Sequence, residues 1–515
     1  MTAKTDAQLA RAIELHRQQD LEGAAALYEK IIRRDAQHFF AHHALGAIHA
    51  EAGRTEAALP LLIRAARLAP DNAEAQANLG AALIGLNRLD EAEGPIRRAL
   101  DLAPDATEPL NHLGKLLTRR FRLDDALEAY GRVRDRAPAD PVAHFNIGNV
   151  LFLADRAQEA IPSLRRAVQL EPGSATFRTG LGLALAEAGD LEAGLAQIRR
   201  AITLDPADAT ARRAEYGYLL AAGNWQEGWA KHESRRMGVD RFFYHDRLAV
   251  PQWAGEDLAG KRILLHAEQG LGDTLLFIRY LSLVKARRPA QIILAVQPAL
   301  KGFLAADSEA DLVTGFGEPI PDIDLHCPLM SLPLAFGTRV ETVAAAPGYL
   351  RRHLTPRPDA AALLAGVARP RIGLVWSGNL QGGRSMPLEA LAPLLAVEAV
   401  NFVALQLEIS TADADFLAKL PRITRFPRGF ADTAAAIDGL DLVITVDTAL
   451  AHLAAGLGVP CWILLAQRAD WRWLQDRTDT LWYPTARLFR QKDGTGWPPV
   501  IAALRHALIA FLGKE

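Results

Sequence analysis

The chain has 515 residues, 50% hydrophobic and 23% charged, too long for one hydrophobic core and ordinary for a soluble protein of several domains. Its formal net charge of −2 argues against binding to nucleic acid or to a membrane surface. Two cysteines, Cys327 and Cys461, lie among apolar residues without metal-ligand or redox spacing, so both read as buried thiols. The charged stretch 1–20 lacks the apolar core of a signal peptide, and nowhere do about 18 apolar residues follow one another. Membrane insertion is not expected, and the chain is placed in the cytoplasm.

The first predicted elements are helical hairpins that recur every 34 residues. Proline keeps this step at Pro70, Pro104, Pro138, Pro172 and Pro206, and glycine at Gly46, Gly80, Gly114, Gly148 and Gly182. A small residue keeps it at Ala24, Ala58, Ala92, Ala126, Ala160 and Gly194. Each column has a physical reason. Glycine or alanine where two helices cross lets their backbones approach. Proline ends the second helix, because its ring clashes with the preceding turn and it has no N–H to donate. Six repeats span 7–206, and a degenerate seventh containing Asn224-Trp225-Gln226-Glu227-Gly228-Trp229 follows. Thirty-four residues is the tetratricopeptide (TPR) period, so 1–235 is expected to be a TPR superhelix whose inner wall binds a peptide or protein. Two residues before the glycine column stand Asn78, His112 and Asn146, a candidate acceptor-binding ladder. Asparagine both donates and accepts, so such a ladder suits the backbone of an extended peptide. The same column holds Ala44 and Gly180, which leaves open that these polar residues merely face solvent.

After a linker at 236–259 the pattern changes to alternating strand and helix. Strands are expected at 262–266, 291–296, 371–376, 401–405, 441–446 and 461–465, with the first followed by an amphipathic helix through Arg287. Short apolar runs between helical stretches argue for parallel, doubly wound sheets. They fall into two Rossmann-type lobes, 260–355 and 356–515, expected to face one cleft. Ligands in this fold class sit beyond the carboxyl ends of the strands.

After the first strand comes Glu268-Gln269-Gly270-Leu271-Gly272-Asp273-Thr274. Its glycines permit a tight turn and close backbone approach to a ligand, and the following helix start favours an anion. Asp273 in the first helical turn is equally explained by pairing with the helix dipole. After the strand at 441–446 comes Asp447-Thr448-Ala449-Leu450-Ala451-His452. Asp447 or Thr448 can cap the next helix, while His452 is either a ligand contact or a packed core residue. After the strand at 371–376 come Ser377, Gly378 and Asn379, then a polar loop ending in Arg384, whose guanidinium suits a diphosphate.

These motifs resemble those of heptosyltransferase-related GT-B domains, which bacteria often append to TPR arrays. Gly270-Leu271-Gly272-Asp273-Thr274-Leu275 is similar to that group's first motif and Val446-Asp447-Thr448-Ala449-Leu450-Ala451-His452 to its second, and the resemblance extends over Trp471-Arg472-Trp473 and Trp482-Tyr483-Pro484. It implies that Asp273 is the base for the acceptor hydroxyl; should Asp273 not serve, Glu268 and His266 are the next candidates by their place at the same strand end. It places Asp447, Thr448 and His452 on the nucleotide-sugar and a phosphate-binding basic residue near Arg384; Gly270, Gly272, Thr274, Ser377, Gly378, Asn379 and Ala449 are the further candidate donor contacts. Arg384 stands where lipopolysaccharide heptosyltransferases carry lysine, and Ala449 where glycine is frequent. Asp322-Ile323-Asp324 looks like the metal-binding acidic pair of a different glycosyltransferase class. It lies in a proline-interrupted run, and no metal or cofactor is expected.

The combined layout is similar to protein O-glycosyltransferases, including flagellin glycosyltransferases. The expected activity is metal-independent transfer of a sugar from a nucleotide-sugar to Ser or Thr of a bacterial protein held by the repeats, with flagellin the leading acceptor. The alternatives are a heptosyltransferase-like enzyme acting on lipid or glycan, and a TPR scaffold with a degenerate sugar-nucleotide domain.

Overall fold

Small-residue columns dictate how the helical half packs. The structure, a computed structural model, describes residues 3–237, 244, 248–306, 309–343, 346–378, 384–420, 422–426, 429–492 and 495–513. Among these, fourteen α-helices run from Ala3–Arg17 to Trp225–His232, paired as successive hairpins. A Cβ on Gly46, Gly80, Gly114, Gly148 or Gly182 would stand 2.8, 2.4, 2.6, 2.5 or 2.6 Å from Leu62, Ile96, Tyr130, Leu164 or Ile198 respectively. Those distances are far inside van der Waals contact, so the glycines are what let each second helix seat a large side chain on the first. Second helices end at Leu68, Leu102, Arg136, Leu170 and Leu204, each two residues before a column proline.

The turn inside each hairpin holds another column, invisible as a residue type. Gln19, Gly53, Asn87, Phe121, Asp155, Gly189 and Gly223 all have positive φ, from 58° to 93°. Glycine and asparagine suit that left-handed conformation; Phe121, 75% exposed, does not.

The chain divides into two compact units, Met1–Arg200 and Ala201–Glu515. The last hairpin, Ala209–Ala221 and Trp225–His232, belongs to the second unit, where Trp225 and Trp229 join its main core. Trp225 stacks on Trp482 at 5.1 Å, and the Trp229 indole N–H donates to the Thr338 carbonyl at 3.1 Å.

That second unit carries two all-parallel sheets. The first contains β1 (Arg262–His266), β2 (Gln291–Val296), β3 (Leu312–Gly315) and β4 (Leu325–Pro328), in the order β3-β2-β1-β4. The second contains β5 (Arg371–Val375), β6 (Asn401–Ala404), β7 (Thr424–Arg425), β8 (Leu442–Val446), β9 (Cys461–Leu465) and β10 (Ala486–Arg490), in the order β10-β9-β8-β5-β6-β7. In both, the winding reverses beside the first strand, between β1 and β4 and between β5 and β8, and such reversals open a crevice at the carboxyl ends. Leu264 pairs with Ile293 across the first sheet and Gly373 with Val443 across the second.

The helix expected to run to Arg287 is instead broken into Leu271–Phe277, a 3₁₀ turn at Ile278–Tyr280, and Leu281–Lys285. Asp324 accepts a 2.7 Å bond from the Arg262 N–H at the start of β1, and Asp441 does the same for Arg371 at β5. Asp324 of the acidic pair around Ile323 thus has a strand-end role. Cys327 and Cys461 are buried and free.

Candidate functional site

Two short helices that start at the ends of β1 and β8 meet each other. Gly270 occupies the cap position of Leu271–Phe277, and its N–H donates to Asp273 Oδ2 at 2.9 Å, so the first-turn acid closes the helix start. The facing helix, Ala449–Gly456, begins after Thr448. A Cβ on Gly272 would lie 2.7 Å from His452 Cδ2 and 3.4 Å from Ala449 Cα, so the absent side chain serves helix–helix contact and Ala449 suits it. His452 is buried, with Nδ1 2.8 Å from the Tyr483 hydroxyl and its ring stacked on Trp473 at 5.3 Å. Burial, reinforced by the Arg472 charge, pushes its pKa down to about 3, which keeps it neutral. Thr274 is also buried and donates to Gln297 Oε1 at 2.9 Å.

Arg472 ties the first motif to the loop that follows β9. One terminal nitrogen donates to Asp273 Oδ1, the other to Asp470 Oδ1 at 2.6 Å, and the guanidinium lies 4.4 Å over the Trp471 ring. The Arg472 side chain is 9% exposed and that of Asp273 17%. Burial works to lower the arginine's pKa, but Asp273, Asp470 and Asp447 outweigh it and raise it. For Asp470 burial pushes upward, and the Arg472 charge and hydrogen bonds overcome it, so its pKa falls. The loop bearing these residues is strained at Leu474, with φ 53° and ψ −177°, a region nearly exclusive to glycine that costs ~1–3 kcal/mol. Arg490 offsets part of that cost by donating to the carbonyls of Trp473 at 2.5 Å and Leu474 at 2.8 Å.

At the reversal of the second sheet, β5 and β8 bring Gly378 against Thr448: a Cβ there would stand 2.9 Å from Thr448 Cγ2. The Ser385 hydroxyl accepts from the Gly378 N–H at 3.0 Å and lies 3.2 Å from Ser377 Oγ, while Gln406 Oε1 accepts the Ser377 N–H at 3.1 Å. Thr448 Oγ1 is 3.3 Å from Thr445 Oγ1. Burial, with Asp470 near by, lifts Asp447 to a pKa of about 6 against the pull of Arg384, whose guanidinium is 3.5 Å away. Asn379 and the loop 380–383 lie outside the described residues. Among the described residues, no three His, Cys, Asp or Glu side chains are grouped to hold a metal, and no helix is long and apolar enough to cross a membrane.

The reversal of the first sheet is filled from within the unit. Arg235, just after the last hairpin, donates to Glu268 Oε2 at 2.6 Å, Ser331 Oγ at 2.8 Å and Glu233 Oε1 at 2.7 Å. The Arg235 and Glu268 side chains are each 1% exposed. Burial raises the Glu268 pKa, and Arg235 opposes the rise. His266 Nε2 sits 3.1 Å from His326 Nδ1, and burial pushes the His266 pKa down to about 3. Both alternative bases therefore belong to an enclosed polar cluster.

In the first unit, the ladder residues have distinct surroundings. Asn78 Nδ2 is 2.9 Å from His43 Nε2, a bond between neighbouring hairpins. His112 is driven by burial to a pKa of about 4, and Asn146 is half-buried. At Gly180 a Cβ would meet Phe145 at 2.9 Å, so that column position is taken up by packing.

Comparison with known proteins bears on this helical part. The tetratricopeptide repeat family matches at residues 43–107, 113–175 and 157–209. This region is a tetratricopeptide repeat array. Such arrays typically bind protein partners along their stacked hairpins. Protein FlbA of Caulobacter vibrioides is 26% identical over 336 residues, which is 57% of this chain and 54% of the relative. The chain thus spans about half the length of the curated relative it matches. A tetratricopeptide repeat protein from Parabacteroides merdae is 14% identical with a TM-score of 0.40, covering 47% of this chain and 95% of that one. YrrB, described as a TPR protein with an unusual peptide-binding site, is 21% identical with a TM-score of 0.31, covering 37% of this chain and 99% of that one. The strained Phe121 turn falls inside a matched repeat.

Proposed function

We propose that this protein is a glycosyltransferase of the GT-B type that moves a sugar from a nucleotide-sugar to Ser or Thr of a bacterial protein held by its TPR array, in the cytoplasm. One observation carries the reading: the two motif helices meet at Gly272 and His452, so Asp273 shares a charged cluster with Asp447 beyond the ends of two parallel sheets. In this reading the acceptor oxygen bonds to the anomeric carbon while Asp273 takes the hydroxyl proton, and the sugar–phosphate bond breaks with its electrons leaving on the nucleotide. Arg384 and the start of Ala449–Gly456 oppose the charge that develops on the departing phosphate.

A non-enzymatic scaffold is the second reading, favoured by the internal pairing of Asp273 with Arg472 and of His452 with Tyr483. Titration with UDP-, GDP-, ADP- and CMP-sugars separates the two, because only the enzyme reading requires one of them to bind and be consumed. Intact-mass analysis of flagellin from cells with and without the gene then tests the leading acceptor. An unchanged flagellin mass refutes that acceptor, and absence of binding by every sugar refutes the enzyme.

A further inference from the structure

We propose that Arg472 is a positioning residue that holds the Asp273 carboxylate in the orientation in which it takes the acceptor proton. The inference rests on the reading of Asp273 as the base. That carboxylate is anchored at both oxygens, Oδ2 by the Gly270 N–H at 2.9 Å and Oδ1 by Arg472. Two anchors on two oxygens fix the rotation of the carboxylate plane, and so decide which lone pairs remain for a substrate hydroxyl. The guanidinium is itself fixed: Asp470 binds its other terminal nitrogen at 2.6 Å, and Trp471 lies under it at 4.4 Å. Holding two carboxylates from two nitrogens of one rigid plane is what arginine does and lysine does not.

Two further observations separate this from ordinary packing. The loop that presents Arg472 keeps Leu474 in a conformation nearly reserved for glycine. Buried within the same loop, Arg472 Nε finds no hydrogen-bond partner among the described residues, while the Trp473 indole reaches the Asp447 carboxylate. Strain and an unmet donor beside the candidate base fit a loop whose course is set by where its guanidinium stands.

The test uses the full chain with flagellin as acceptor, with nucleotide release from UDP-, GDP-, ADP- and CMP-sugars as turnover and titration of the same sugars as affinity. Arg472→Lys is expected to lower turnover by roughly 10- to 100-fold with affinity nearly unchanged, as misplacement of a reacting group does. Asp273→Asn is expected to lower it by ~10²–10⁴-fold. In the Asp273→Asn background, Arg472→Lys is expected to cost nothing more, since the residue it positions is gone. Asp470→Asn loosens the same guanidinium from its other side and repeats the pattern more mildly, which covers an Arg472 variant that fails to fold. Wild-type turnover in both variants overturns the proposal, as does an Arg472→Lys loss that recurs in full without Asp273; in either case the base reading stands if Asp273→Asn is slow. Normal turnover of Asp273→Asn, or no turnover by the wild-type chain, overturns both.

Discussion

Gly272→Ala adds one methyl group where the two motif helices touch. The new Cβ would stand 2.7 Å from His452 Cδ2 and 3.4 Å from Ala449 Cα. Relief needs the ring to retreat by several tenths of an ångström. The ring is confined: Trp473 stacks on one face at 5.3 Å and Tyr483 holds Nδ1 at 2.8 Å. Overpacking a filled core costs ~1–3 kcal/mol, and replacing a helical glycine returns at most ~1 kcal/mol. The expected net loss is about 1–2 kcal/mol, read as a lower urea midpoint by tryptophan fluorescence. His452→Ala in the same chain removes the obstructing ring, so the double variant should be more stable than the sum of the single losses by about 1 kcal/mol. A Gly272→Ala protein as stable as wild type, or a strictly additive pair, would refute the packing argument. Gly272 would then have to be explained by ligand approach alone.

Four further expectations follow from particular contacts. Phe121→Asn puts into a φ of 58° the residue type found at Asn87 with the same φ, and should stabilise the repeats by ~1 kcal/mol in urea unfolding. Glu268→Gln leaves the buried Arg235 with one carboxylate fewer and should cost about 3 kcal/mol in the same assay. His452 and His266 have folded pKa values of about 3 against an ordinary 6.5. Each therefore stabilises fully above pH 6.5 and loses that contribution as pH falls toward 3. Asp447, raised from 3.8 to about 6, works the opposite way as pH falls from 6. By about pH 4.5 each histidine should have lost roughly 2–3 kcal/mol, so His452→Gln should flatten the fall in urea midpoint, and an unchanged slope contradicts its neutral burial. Finally, a fragment starting at Ala201 should fold, whereas one starting after Arg236 should aggregate, because it lacks Trp225, Trp229 and Arg235; light scattering and circular dichroism distinguish them.

The repeat array was legible because one constraint recurs every 34 residues. Gly80 and Ile96 meet for the same reason as Gly148 and Leu164, so column identity predicts contact. The two-sided burial of parallel strands made β1, β2, β5, β6, β8 and β9 stand out as apolar runs, whereas β7 has two residues and β4, Leu-His-Cys-Pro, reads as no run at all. The motif residues were visible, but not what occupies them. Trp471-Arg472-Trp473 lies in a 3₁₀ turn with no periodicity to say where its side chains point. Arg235 sits in sequence beside the helices and in space against Glu268, just past the end of β1, a long-range pairing that no local pattern encodes.

The boundary at Arg200 also bears on how such a chain can evolve. Upstream of it the hairpins share one register: excising 73–106 would join Asn72 to Thr107 and leave every column in step. The hairpin at Ala209–His232 has lost that freedom, since its tryptophans are core residues of the α/β unit. Duplication and deletion can therefore lengthen or shorten the array in steps of one repeat, while the terminal hairpin is held constant by its place in the α/β core.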